Sequence, residues 1–240
     1  MKKQKVNSNT EKTQVTIQET FAAMSEILHG DKEPSVLLAF WASALSKRVK
    51  LTINGGYVRI LAEKYLFNGL PENQEELKDA LGRKPGNRFP SGLMQSHIDC
   101  LYALEKLHKA GALNFDAGDT LAEQQAWREK MVNLIPGMAC KLVSWALFIY
   151  NPFYTKLLTI DTWHCKRLGI DQEKLAGKTK AQVACYLATE KRMLAECTAL
   201  YPEYPPVVTA AMLWENARIA GGESDGQAYT SHKEISCRWY

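Results

Sequence analysis

The sequence predicts an almost wholly α-helical protein. Apolar residues recur at helical spacing in one segment after another, and capping signals precede several of those segments. No apolar–polar alternation persists beyond a few positions, and no Val/Ile-rich run is bounded by hairpin turns. About nine to eleven helices fit this pattern. A chain of 240 residues is long enough to bury a real core, as one large domain or two intimately packed lobes.

Composition excludes several classes. Hydrophobic residues at 46% and charged residues at 23% fit a soluble globular protein and argue against a fibrous or disordered chain. No apolar run approaches the ~18–20 residues of a membrane span. The opening MKKQKVNSNTEKTQ has no apolar stretch of the kind a secretory signal carries. The net charge of +4 is compatible with a polyanionic partner without indicating one. Cys100, Cys140, Cys165, Cys185, Cys197 and Cys237 form neither a CxxC pair nor a close cluster, so reduced, structural thiols and a cytoplasmic protein are expected.

The elements follow in order. Residues 1–14 read as a solvated, disordered tail, and 15–29 as an amphipathic helix ended by His29-Gly30-Asp31. Pro34-Ser35 opens VLLAFWASALSKR, apolar on most sides. Asn54-Gly55-Gly56 reads as a turn, followed by the helix YVRILAEKYLF and a short acidic helix in ENQEELKDAL. Residues 82–92, GRKPGNRFPSG, are the clearest interior loop, rich in Gly, Pro and basic residues. LMQSHIDCLYALEKLHKA resumes a helix. Asp119-Thr120 caps the next, LAEQQAWREKMVN, with Glu123 placed for a capping box. Helices over about 178–200 and from Pro206 to about Ile219 complete a helical domain over 15–225, and 226–240 reads as a tail.

Residues 121–151 form helix, tight hairpin, helix. Leu134 and Ile135 anchor the hairpin, and Pro136-Gly137 turns it. The second helix then offers unpaired backbone N–H groups and the positive end of its dipole, which suits a phosphate. Lys141 lies in its first turn. Twenty residues later Asp161 stands where it can cap a helix running through Lys166-Arg167.

This pattern resembles the helix-hairpin-helix (HhH-GPD) DNA glycosylases, and is closest in motif to the 8-oxoguanine DNA glycosylases and endonuclease III. Their hairpin reads roughly L-P-G-hydrophobic-G-x-K with a later Asp before a helix. Here the corresponding run is Ile135-Pro136-Gly137-Met138-Ala139-Cys140-Lys141, and then Asp161. A weaker likeness extends over about residues 35–218.

The resemblance implies an all-α, two-lobed fold with the active site in the cleft between the lobes. It also implies a monomer that acts on double-stranded DNA, with no membrane partner, placed at the nucleoid if the source is prokaryotic. It assigns Asp161 to stabilising positive charge on the sugar and Lys141 to nucleophilic attack at C1′, giving a Schiff base and strand nicking. A flipped base needs a stacking wall. Trp145, one turn after Lys141, is the first candidate, with Trp163 and Trp214 behind it. Ile135, Gly137 and Ala139 of the hairpin, and Arg83, Lys84 and Arg88 of the loop, are candidate DNA contacts.

Two departures stand out. Ala139 replaces the second hairpin glycine, which leaves the phosphate grip in question. The cysteine spacing does not supply an iron–sulfur cluster, so no cofactor and no metal are expected, beyond a loosely held monovalent cation that the resemblance permits at the hairpin. His97/Cys100 and His164/Cys165 offer no four convergent zinc ligands. The leading substrate is an oxidised purine such as 8-oxoguanine. A monofunctional glycosylase, a non-catalytic hairpin DNA-binding protein and an unrelated helical protein are the competing readings.

Overall fold

A computed structural model describes residues 32–47, 51–151, 154–202 and 205–220. The expected tail at 1–14, the helix at 15–29 and the tail at 226–240 lie outside the described residues. Among those described there are nine α-helices and no strand: α1 (Lys32–Leu45), α2 (Leu51–Tyr65), α3 (Gln74–Ala80), α4 (Gln95–Lys109), α5 (Leu121–Leu134), α6 (Cys140–Tyr150), α7 (Thr162–Leu168), α8 (Lys180–Leu200) and α9 (Pro206–Ala220). A single 3-10 turn, Gln172–Lys174, joins α7 to α8. None of these helices is long and apolar enough to cross a membrane.

The centre of the protein is α1, which packs against α2, α4 and α6. Its sequence explains this: Leu37, Ala39, Phe40, Trp41, Ala42, Ala44 and Leu45 are all buried, so the helix is enclosed on most sides. The polar groups it buries are paired. Trp41 Nε1 donates to the Leu101 carbonyl at 3.3 Å, and Ser43 Oγ to the Leu142 carbonyl at 2.5 Å. Phe40 stacks on Phe115 with centroids 5.0 Å apart, and Phe115 in turn meets Trp127 of α5 and Tyr150 of α6. A second group, α9 with α7 and α8, packs around the site described below.

The structure corrects one element. Asn54-Gly55-Gly56 does not make a turn; it lies inside α2. Asn54 is fully buried, and its Nδ2 donates to the Ala42 carbonyl of α1 at 3.0 Å. Together with buried Tyr57, Val58 and Leu61, that anchor outweighs the local preference of two glycines, each worth about 1 kcal/mol against a helix.

Other starts and stops agree with the sequence. Thr120 caps α5 in a reciprocal capping box: Thr120 Oγ1 accepts from the Glu123 N–H at 3.2 Å, and Glu123 Oε2 accepts from the Thr120 N–H at 2.8 Å. Asn73 caps α3 and Thr179 caps α8.

Candidate active site

The hairpin between α5 and α6 is built as its sequence requires. Ile135 and Met138 are fully buried, while Pro136 and Gly137 face solvent. Gly137 adopts φ +79°, a conformation that a side chain would strain. It rests against the first turns of α4, where a Cβ would meet Cys100 Sγ and the Ser96 carbonyl at 3.9 Å. The loop 82–92 leads into that end of α4. Ala139, the residue that departs from glycine, caps α6 with φ −103°. That backbone is extended, so the position imposes no need for glycine. Ala139 gives the first turn of α6 no side-chain hydrogen bond. Lys141, the second residue of α6, is half-buried.

Asp161 caps α7, as its sequence position suggests. One carboxylate oxygen, Oδ1, accepts from the Trp163 N–H at 2.9 Å and the His164 N–H at 3.4 Å. The other, Oδ2, accepts from Trp214 Nε1 of α9 at 2.6 Å. His164 lies beneath it. Its Nε2 faces the Ala210 carbonyl at 3.1 Å and so carries a hydrogen, while Nδ1 sits 3.3 Å from the Asp161 N–H and 3.2 Å from Oδ1. Burial raises the Asp161 pKa, but the His164 hydrogen bond, the charges of Lys141 and His164 and the Trp214 hydrogen bond outweigh it. The carboxyl is held below its ordinary value. The Lys141 charge favours the ionised forms of both Asp161 and Cys165.

A buried network ties these two helix starts together. Glu190 of α8 and Arg128 of α5 are 0% and 1% exposed. The guanidinium meets both carboxylate oxygens at 2.7 Å, a bidentate pair. Glu190 also accepts from Gln125 Nε2 at 2.9 Å and the Leu158 N–H at 3.0 Å, which fills its remaining acceptor sites. Arg128 reaches Ser144 Oγ of α6 at 3.0 Å. Tyr186 closes the network: its hydroxyl donates to the Leu158 carbonyl at 2.7 Å and accepts from the Ile160 N–H at 3.1 Å. The extended segment that delivers Asp161 is therefore fastened to α8, and α8 to both helices of the hairpin motif.

The remaining predicted residues are spread more widely. Trp145 is half-buried and stacks on Phe148 with centroids 5.0 Å apart. Trp163 is buried, with the Lys166 ammonium 3.9 Å from its ring centroid. Trp214 belongs to the carboxylate through its N–H, a contact that composition and spacing did not suggest. In the loop, Arg83 is bound by Asp79 and Glu75 of α3, whereas Lys84 and Arg88 are exposed. Arg88 lies over the Phe89 ring. The ring nitrogens of His97, like those of His164, are occupied by backbone: Met94 N–H at 3.0 Å and the Lys47 carbonyl at 2.9 Å. The described cysteines carry free thiols, and burial pushes Cys100 and Cys197 up to about 12, which keeps them protonated.

Sequence reasoning missed Arg128, Tyr186 and Glu190. One signal was available: 186, 190, 193 and 197 form a helical stripe, so Glu190 falls on the apolar face of α8 beside Tyr186, Met193 and Cys197. Comparison with known proteins adds no assignment, since no family model, no curated protein and no solved structure matches the chain.

Proposed function

We propose that the protein is a DNA glycosylase with AP-lyase activity, of the two-lobed helix-hairpin-helix type, acting as a monomer on duplex DNA that carries a modified base. The observation that carries this reading is an electrostatic coupling: the Lys141 charge helps hold Asp161 below its ordinary pKa, and each residue stands at the start of a helix, Lys141 in the first turn after the hairpin and Asp161 as the cap of α7.

The chemistry follows from those groups. The Lys141 amine, once deprotonated, attacks C1′ of a flipped nucleotide. The C1′–N bond breaks, and the base leaves with its electron pair. Asp161 opposes the positive charge that builds on the sugar. Loss of a second proton from nitrogen and opening of the sugar ring give the Schiff base. Removal of a C2′ proton then expels the 3′ phosphate and nicks the strand. Trp145 is the wall against which the flipped base stacks, and an oxidised purine such as 8-oxoguanine is the leading substrate. No metal is required in any of these steps.

Borohydride trapping on duplexes with single modified bases tests the proposal, with base release and nicking scored separately. A covalent adduct is expected with the wild type, and none with Lys141→Gln. Base release without an adduct would make the enzyme monofunctional. Salt-sensitive DNA binding with no base release from any duplex would leave a non-catalytic hairpin module.

A further inference from the structure

The hairpin's fitness for a monovalent cation can be judged from its own carbonyls. In a regular helix the Val132 carbonyl would accept from the N–H four residues on, but that residue is Pro136, which has none. From the backbone the Ile135 carbonyl receives a long 3.4 Å bond, from the Met138 N–H. Both oxygens sit at the negative end of α5, where a cation is favoured. They are already occupied. Lys178, two residues before α8, places Nζ 2.5 Å from the Val132 carbonyl and 2.9 Å from the Ile135 carbonyl. A free ion among these oxygens would lie against a like charge, so the residues present do not fit one.

We infer that Lys178 is the hairpin's cation, a tethered ammonium that replaces a diffusible ion and presents its charge to one backbone phosphate of bound DNA. An ammonium has three N–H donors and these carbonyls take two, which leaves one for an anion. Lys47 adds to the same field, since Lys178 and Lys47 both act on Cys100 beside Gly137. Lys178 as a whole is exposed, yet burial pulls its pKa below the ordinary lysine value, so the two carbonyls offset a real desolvation cost. The phosphate contact rests on the DNA reading above; the tethered cation does not.

Thermal melts of the free protein separate the two. They are run in potassium, sodium and choline chloride at equal ionic strength. The wild type is expected to melt at one temperature in all three salts. Lys178→Met should melt about 2–4 °C lower in choline and recover part of that loss in potassium or sodium. Lys178→Arg, which keeps a cation, should not discriminate among the salts. A wild type that needs an alkali ion would overturn the inference. So would a Lys178→Met variant with an unchanged melting temperature, or one whose loss no alkali ion reverses, since Lys178 would then be an ordinary helix cap. On duplex DNA, Lys178→Met should lower the slope of log affinity against log salt by about 1. An unchanged slope would remove the phosphate contact and leave the tethered cation standing. A wild type that binds no DNA would remove both that contact and the glycosylase reading, while the melts would still decide the cation.

Discussion

The indole Nε1 of Trp214 donates to Asp161 Oδ2 at 2.6 Å, while the other carboxylate oxygen caps α7. Both oxygens therefore act as acceptors. An asparagine has one acceptor and one donor, and neither orientation can satisfy both demands. Asp161→Asn should thus cost about 1–3 kcal/mol of stability, although asparagine is a good helix cap. Adding Trp214→Phe should restore part of that loss, while Trp214→Phe alone should destabilise. Urea unfolding of the four proteins checks this, and strict additivity would show that the two side chains do not compete.

Two groups give separate pH windows. Burial, with the nearby Lys47 charge, holds His97 below its ordinary value of 6.5, against the opposing hydrogen bonds at Lys47 and Met94. The unfolded chain therefore binds that proton first as pH falls, so stability is full above 6.5 and declines below it. Asp161 is held below 3.8, so its contribution persists above 3.8 and is lost only as pH falls through its folded value. His97→Gln keeps a capping-box acceptor and does not titrate. Melts from pH 8 to pH 5 should slope less for His97→Gln than for the wild type, and equal slopes would count against the assignment.

The Arg128–Glu190 pair should behave as a buried ion pair. Glu190→Gln leaves a guanidinium enclosed without its counter-charge and should cost about 3–5 kcal/mol. Replacing both by methionine should cost less than the single change. Recovery should stop short of the wild type, because the Leu158 N–H and Gln125 amide also lose their acceptor. Denaturant titration measures both variants. A double variant worse than Glu190→Gln would show that the network's neutral hydrogen bonds outweigh its charges.

Gly56 is an opportunity rather than a requirement. It is exposed within α2, and a Cβ built there meets nothing within 4 Å. Gly56→Ala should stabilise the protein by about 0.5–1 kcal/mol, read as a higher melting temperature.

The helices of this protein are legible because their ends are marked: Thr120 with Glu123, Asp161 before Trp163, and Gly137 after Pro136 are local signals with local outcomes. Asn54-Gly55-Gly56 misled because its outcome is not local. The Ala42 carbonyl, which fixes Asn54, belongs to another helix. The site divides in the same way. Lys141 and Asp161 stand out by spacing, but Trp214, Glu190 and Lys178 find their partners 53, 62 and 46 residues away. Their roles depend on packing that no single window of sequence contains.

The central position of α1 has a consequence for how the chain is made. Ser43 meets Leu142 across 99 residues, and α6 is a principal cover for α1. At roughly 5–20 residues per second, a ribosome would hold the Ser43 side of α1 without that cover for about 5–20 s. A nascent chain stopped at the end of α5 would keep α1 covered by α2 and α4 but bare on the side that α6 covers, so premature termination there should yield an insoluble or chaperone-bound fragment rather than a folded lobe.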